Sequence, residues 1–213
     1  LKAAHYVTTN RTPAFSVSAA ILGNMDCNGC SATGWRERKE AYRDLFLKLL
    51  DEGFCVAAVN YRLARMHKTN SVPECVADCK DAVRYLAKNA ETYGIDAHKF
   101  YSIGNSAGGH LSMMLLLTPP DQQMGDPAFA GVDYTMVAGV SWYGWANQEI
   151  KELFIKPGKP KDDPLRVNHS LICRPGLSPS ERKVLIHEMS PSTWLSKKSP
   201  PLFMLHGTED QTI

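Results

Sequence analysis

The residues best suited to chemistry in this 213-residue chain are Gly104-Asn105-Ser106-Ala107-Gly108. A serine flanked at two positions on either side by glycine suits a sharp turn between a strand and a helix. Side chains at the glycine positions would collide there, while the hydroxyl projects outward as a nucleophile. The flanks fit this reading: Phe100 to Ile103 is a short apolar run before the turn, and Leu111 to Leu117 is an apolar helix after it, stopped by Pro119 and Pro120. A helix N-terminus beside the serine favours a developing negative charge, and the Ala107 N–H is placed to donate to it. A nucleophilic serine needs a base, and the base needs an acid to orient it. Asp210 is the acid candidate, in a loop after the apolar run Pro201 to Leu205 and the pair His206-Gly207, with Glu209 as its neighbour and rival.

The elements that must position these groups alternate in kind. Phe15 to Leu22 reads as a strand, and Arg38 to Glu52 as a helix with Ala41, Leu45, Phe46, Leu49 and Leu50 on one stripe and Gly53 as its stop. Phe54 to Val59 is a continuous apolar run, as in a buried parallel strand. Pro73 to Tyr93 carries Val76, Cys79, Val83, Leu86 and Ala90 at helical spacing, with Pro73 in the first turn and Gly94 at the end. Met136 to Trp142 and Pro201 to Leu205 complete the strands. This order predicts an α/β chain with a doubly wound, mostly parallel sheet and helices on both faces, whose function collects at the carboxyl ends of the strands. The expectation is one domain over residues 1–213, with a Pro- and Lys-rich, weakly periodic excursion over residues 146–190.

Composition excludes several classes. Hydrophobic residues make up 44% and charged residues 22%, ordinary for a globular chain, and the net charge of +2 gives no field for nucleic acid. No apolar stretch is long enough to span a bilayer, and the first residues lack the layout of a signal peptide. Six cysteines, at 27, 30, 55, 75, 79 and 173, do not form a disulfide framework. Cys27-Asn-Gly-Cys30 is half of a zinc motif without its second pair, so neither a metal nor a cofactor is expected. Trp142, Tyr143 and Trp145 stand at the end of the Met136 to Trp142 strand, where they either wall an acyl or sugar pocket or belong to the core.

Several stretches resemble the carboxylesterase branch of the α/β-hydrolase superfamily, its acetyl-xylan-esterase-like and lipase/esterase-like members above all. They are Asn60 to Ala64, Asp78 to Leu86, Tyr93 to Asp96, Gly104 to His110 and Pro200 to Asp210, and the likeness runs roughly from Gly34 to Ile213. It implies hydrolysis of small carboxylic esters, short-chain or on acetylated carbohydrate, through an acyl-enzyme on Ser106 and without a cofactor. The alternatives are a serine peptidase of the same fold and a catalytically silent binding relative.

Two departures stand out. The family's His-Gly-Gly-Gly-Trp-like oxyanion loop should fall at Ser31-Ala32-Thr33-Gly34-Trp35, where only Gly34 and Trp35 match; Gly34 is therefore the candidate for the second oxyanion donor. The family's catalytic histidine follows the acid by some tens of residues, so it is expected beyond Ile213, with the sheet incomplete on that side. His206 ends a strand at the right edge, but precedes Asp210 and reads as a turn histidine bonded locally. His110 resembles a structural position.

Overall fold

A computed structural model of the chain describes residues 17–23, 43–59, 61–62, 64, 70–123, 125–149 and 172–210. Among the described residues, five parallel strands make one sheet: β1 (Val17–Gly23), β2 (Cys55–Val59), β3 (Ile95–Asn105), β4 (Met136–Trp142) and β5 (Leu202–Leu205), in spatial order β2-β1-β3-β4-β5. The helices between them are α1 (Arg43–Asp51), α2 (Val72–Lys88), α3 (Ala90–Tyr93), α4 (Ala107–Leu117) and α5 (Pro179–Glu188). Parallel neighbours need a long return crossover, which the intervening helices supply.

Local chemistry explains the boundaries. α1 ends where Gly53 turns to φ 87°, with Phe54 N–H bonded to Leu49 O and Gly53 N–H to Leu50 O, the paired closure that only a left-handed residue allows. α2 opens at Ser71, whose N–H and hydroxyl both donate to Glu74 Oε2 at 2.7 and 2.6 Å, and Pro73 sits in the first turn. The helix expected over Pro73 to Tyr93 is broken at Asn89, whose side-chain amide donates to Tyr85 O at 2.7 Å while its backbone leaves helical geometry. β3 is longer than its apolar centre, because Asp96, His98 and Lys99 extend the strand with polar side chains at its start.

The core forms where α2 and α4 meet the sheet. Val76, Cys79, Val83 and Leu86 of α2 are buried against Phe100, Leu111, Met113, Met114 and Leu115. Phe100 meets Tyr134 edge to face, ring centroids 6.2 Å apart. Ser102 and Ser112 lock α4 onto the sheet: Ser112 Oγ donates to Val140 O at 2.9 Å, and Ser102 Oγ donates to Ser112 O at 3.0 Å. The four described cysteines, Cys55, Cys75, Cys79 and Cys173, are buried free thiols, while Cys27 and Cys30 lie outside the described residues.

α2 also buries charge. Arg84 and Lys80 are 1% and 0% exposed. Arg84 Nη1 pairs with Asp81 Oδ1 at 2.8 Å, and the guanidinium also donates to Pro120 O and Gln122 O. Lys80 Nζ donates to Thr118 Oγ1 at 2.7 Å and to the carbonyls of Thr118 and Pro119. Asp81 Oδ2 accepts from Asp126 N–H at 2.8 Å. These bonds fasten the chain leaving α4 to α2, with cations at the negative end of the α4 dipole.

Residues 150–171 of the expected excursion lie outside the described residues. Its later part contains α5, capped by Ser178: Glu181 N–H donates to Ser178 Oγ, and Ser178 N–H returns a bond to Glu181 Oε2 at 2.8 Å. Among the described strands β5 is the last on its side, and Phe203, Met204 and Leu205 are exposed there. Among the described residues, no helix is long and apolar enough to cross a membrane.

Candidate active site

Ser106 sits between the last residue of β3 and the first of α4 with φ 55° and ψ −122°, outside the regions a side chain ordinarily allows. The glycines make that geometry possible. A Cβ on Gly104 would lie 2.1 Å from Gly108 O, and one on Gly109 would lie 2.9 Å from Trp142 O. Gly144 approaches as closely from the other side: its Cβ would lie 2.5 Å from the Gly109 carbonyl carbon. The turn is held by Ser106 N–H donating to Trp142 O at 2.8 Å and by His110 N–H donating to Ser106 O at 3.1 Å. The N–H groups of the first turn of α4, beginning with Ala107, point out of the end that carries Ser106.

His110 faces the other way. It is buried, its Nε2–H donates to Met189 O at 2.8 Å, and burial holds its pKa below the ordinary value against the pull of that bond. A neutral imidazole spent on a backbone carbonyl ties the elbow helix to residues 189–194 and is not a base for Ser106.

Registration brings Asp210 to the same edge. Asn105 pairs with Trp142, and Trp142 with Leu205, so the chains leaving β3, β4 and β5 start side by side. After β5 the chain turns at His206-Gly207, closed by Asp210 N–H donating to Gly207 O at 3.2 Å. Asp210 Oδ2 then lies 3.4 Å from His206 Nε2, with both side chains partly exposed. Glu209 is exposed and Asp210 less so. β1 ends on the opposite flank, where Gly23 pairs with Gly104, and Gly34 lies outside the described residues.

Trp142, Tyr143 and Trp145 divide in the structure. Trp142 and Trp145 are half-buried, and Tyr143 is exposed with φ 43°. The Tyr143 hydroxyl accepts from Asn105 Nδ2 at 3.2 Å, next to Ser106. The sequence holds no signal for that turn, because the backbone freedom it needs is usually supplied by glycine or asparagine. Among the described residues no group of three His, Cys, Asp or Glu side chains is placed to hold a metal ion.

Solved structures and curated relatives agree with this architecture. Esterase 2 of Thermogutta terrifontis, phosphonylated by sarin, superposes with a TM-score of 0.71 over 98% of this chain and 68% of its own, at 22% identity. "Probable carboxylic ester hydrolase LipM" of Mycobacterium tuberculosis is 29% identical over 87% of this chain and 40% of its own length. Esterase LipQ of the same organism is 24% identical over 83% of this chain and 39% of its own. The chain thus spans about two fifths of the curated relatives it matches. A family model described as BD-FAE matches residues 29–213, so the chain, with its parallel sheet and serine elbow, belongs to the BD-FAE family within the carboxylesterase branch of the α/β-hydrolases.

Proposed function

We propose that the chain carries the nucleophile and acid of a serine carboxylesterase, within a single α/β-hydrolase domain that residues 146–190 interrupt. One observation carries the reading: Ser106 holds a strained backbone at φ 55° on a turn built from backbone-to-backbone glycine contacts. A linker serine has no need of that strain, and a nucleophile that must project from the sheet does. The esterase names of LipM and LipQ support the same reading.

In the proposed reaction an imidazole oriented by Asp210 removes the Ser106 proton as Oγ attacks the ester carbonyl carbon. The Ala107 N–H, and a second donor from the segment that contains Gly34, hold the oxyanion. Collapse of the tetrahedral adduct returns the proton to the departing alkoxide, which leaves as an alcohol. Water, deprotonated by the same imidazole, then cleaves the acyl-enzyme to the carboxylic acid and restores Ser106. No cofactor enters. The substrates proposed are small esters, with short acyl chains or acetylated carbohydrate.

The test uses the natural full-length protein. A fluorophosphonate should attach to the tryptic peptide that contains Ser106, and p-nitrophenyl acetate should be hydrolysed by wild type and not by Ser106→Ala. Absence of both labelling and hydrolysis from folded wild-type protein would overturn the esterase reading in favour of a silent, ligand-binding relative.

A further inference from the structure

Three non-glycine residues among those described have positive φ: Ser106, Gln123 and Tyr143. Two of them are in-register neighbours, since each follows a member of the Asn105–Trp142 pair at the ends of β3 and β4. Strain at Ser106 has an evident use. Strain at Tyr143 does not, because the side chain is exposed and burial does not offset it. Glycine or asparagine would adopt the same backbone at less cost. The neighbouring glycine is already committed, since Gly144 lets β4's outgoing chain press against Gly109.

What tyrosine adds is a second attachment. Its backbone N–H donates to Leu205 O at 2.6 Å, the last carbonyl of β5, which leads through His206 to Asp210. Its hydroxyl accepts from Asn105 Nδ2 at 3.2 Å, on the residue before Ser106. One strained residue thus links the strand that presents the serine to the strand that presents the acid. We propose that Tyr143 is a positioning residue, a strut between β3 and β5 that fixes how Ser106 stands relative to Asp210. The proposal rests on the esterase reading and deepens it.

A strut of this kind acts on the rate of the chemical step and not on affinity, because it touches the serine's neighbour rather than the ester. Its hydroxyl bond is exposed, so removing it should leave folding almost untouched. The experiment compares wild type, Tyr143→Phe, Asn105→Ala and the double variant in the full-length protein. Each is measured for capture of Ser106 by a fluorophosphonate, for kcat and KM on p-nitrophenyl butyrate, and for melting temperature. Each single variant should lose about 10-fold in kcat and in capture rate, with KM within about twofold and the melting temperature nearly unchanged. The double variant should be no worse than the worse single one, as for two ends of one contact. Wild-type capture and turnover in Tyr143→Phe overturns the strut, as does a change confined to KM or a double variant whose losses multiply. Folded wild-type protein that neither reacts with the phosphonate nor turns over the ester overturns the esterase reading, and the strut with it.

Discussion

His206 presents Nε2, not Nδ1, to Asp210 Oδ2, at 3.4 Å. In a serine triad the acid binds Nδ1 and leaves Nε2 to face the serine. The pair in this chain has the opposite sense, which suits a turn histidine steadying Asp210 rather than the base of a triad. His206→Gln should therefore cost less than about 10-fold in turnover, whereas Asp210→Asn should cost on the order of 10⁴-fold. Steady-state kinetics on p-nitrophenyl acetate separates the two. Loss of activity in His206→Ala equal to that in Ser106→Ala would identify His206 as the base instead.

Gly104 admits no side chain. A methyl group there would stand 2.1 Å from Gly108 O, a backbone atom held by α4, so relief requires opening the turn itself. Gly104→Ala should destabilise the fold by about 3 kcal/mol and abolish phosphonate capture at Ser106. Urea denaturation read by circular dichroism gives the first quantity and mass spectrometry the second.

Lys80 predicts a pH dependence. Burial lowers its pKa from 10.5 to about 7, with Arg84 adding to the shift and Asp121 opposing it. Between those two values the unfolded chain holds a proton that the folded chain has lost, so stability rises with pH across the window. The penalty for a buried ammonium is full below about pH 7 and absent above about pH 10.5. The urea midpoint of wild type should climb between about pH 7 and about pH 9.5, and Lys80→Met should flatten that part of the climb. Parallel curves for both proteins would remove Lys80 from the account.

Arg84→Met should be far more damaging than its place on a helix suggests. It strands the Asp81 carboxylate, 3% exposed, with only the Asp126 N–H as a described partner, and frees the carbonyls of Pro120 and Gln122. A loss of about 3–5 kcal/mol is expected, measured by chemical denaturation. Asp81→Asn should also destabilise, because Oδ1 accepts from Arg84 and Oδ2 from the Asp126 N–H, and the amide nitrogen would turn a donor toward one of them.

The strands and the elbow were legible because their signals are local and apolar. FCVAAV and PLFML each announce a strand in a few residues, and the glycine spacing around Ser106 is imposed by a steric need. α5 was not legible as a helix, since it touches the core only through half-buried Leu185 and Ile186 and so lacks a wide apolar stripe. Its one signature was the Ser178–Glu181 cap. The burial of charge on α2 has no local signal: Lys80, Asp81 and Arg84 are buried because the chain after α4 folds over them. At the site, the glycine spacing around Ser106 is visible in the chain, while the turn of Tyr143 depends on carbonyls and amides from three strands that no spacing rule connects.

The separation of β3 from β5 along the chain has a consequence for biogenesis. Roughly 100 residues lie between Ser106 and Asp210, and a ribosome adding about 5–20 residues per second needs on the order of 5–20 seconds to make them. During that interval the elbow can fold against β1, β2 and α2 while Leu205, Asp210 and the β5 anchor of Tyr143 do not yet exist. A newly made chain would thus hold Ser106 on its finished turn for seconds before Leu205 and Asp210 exist to be placed beside it.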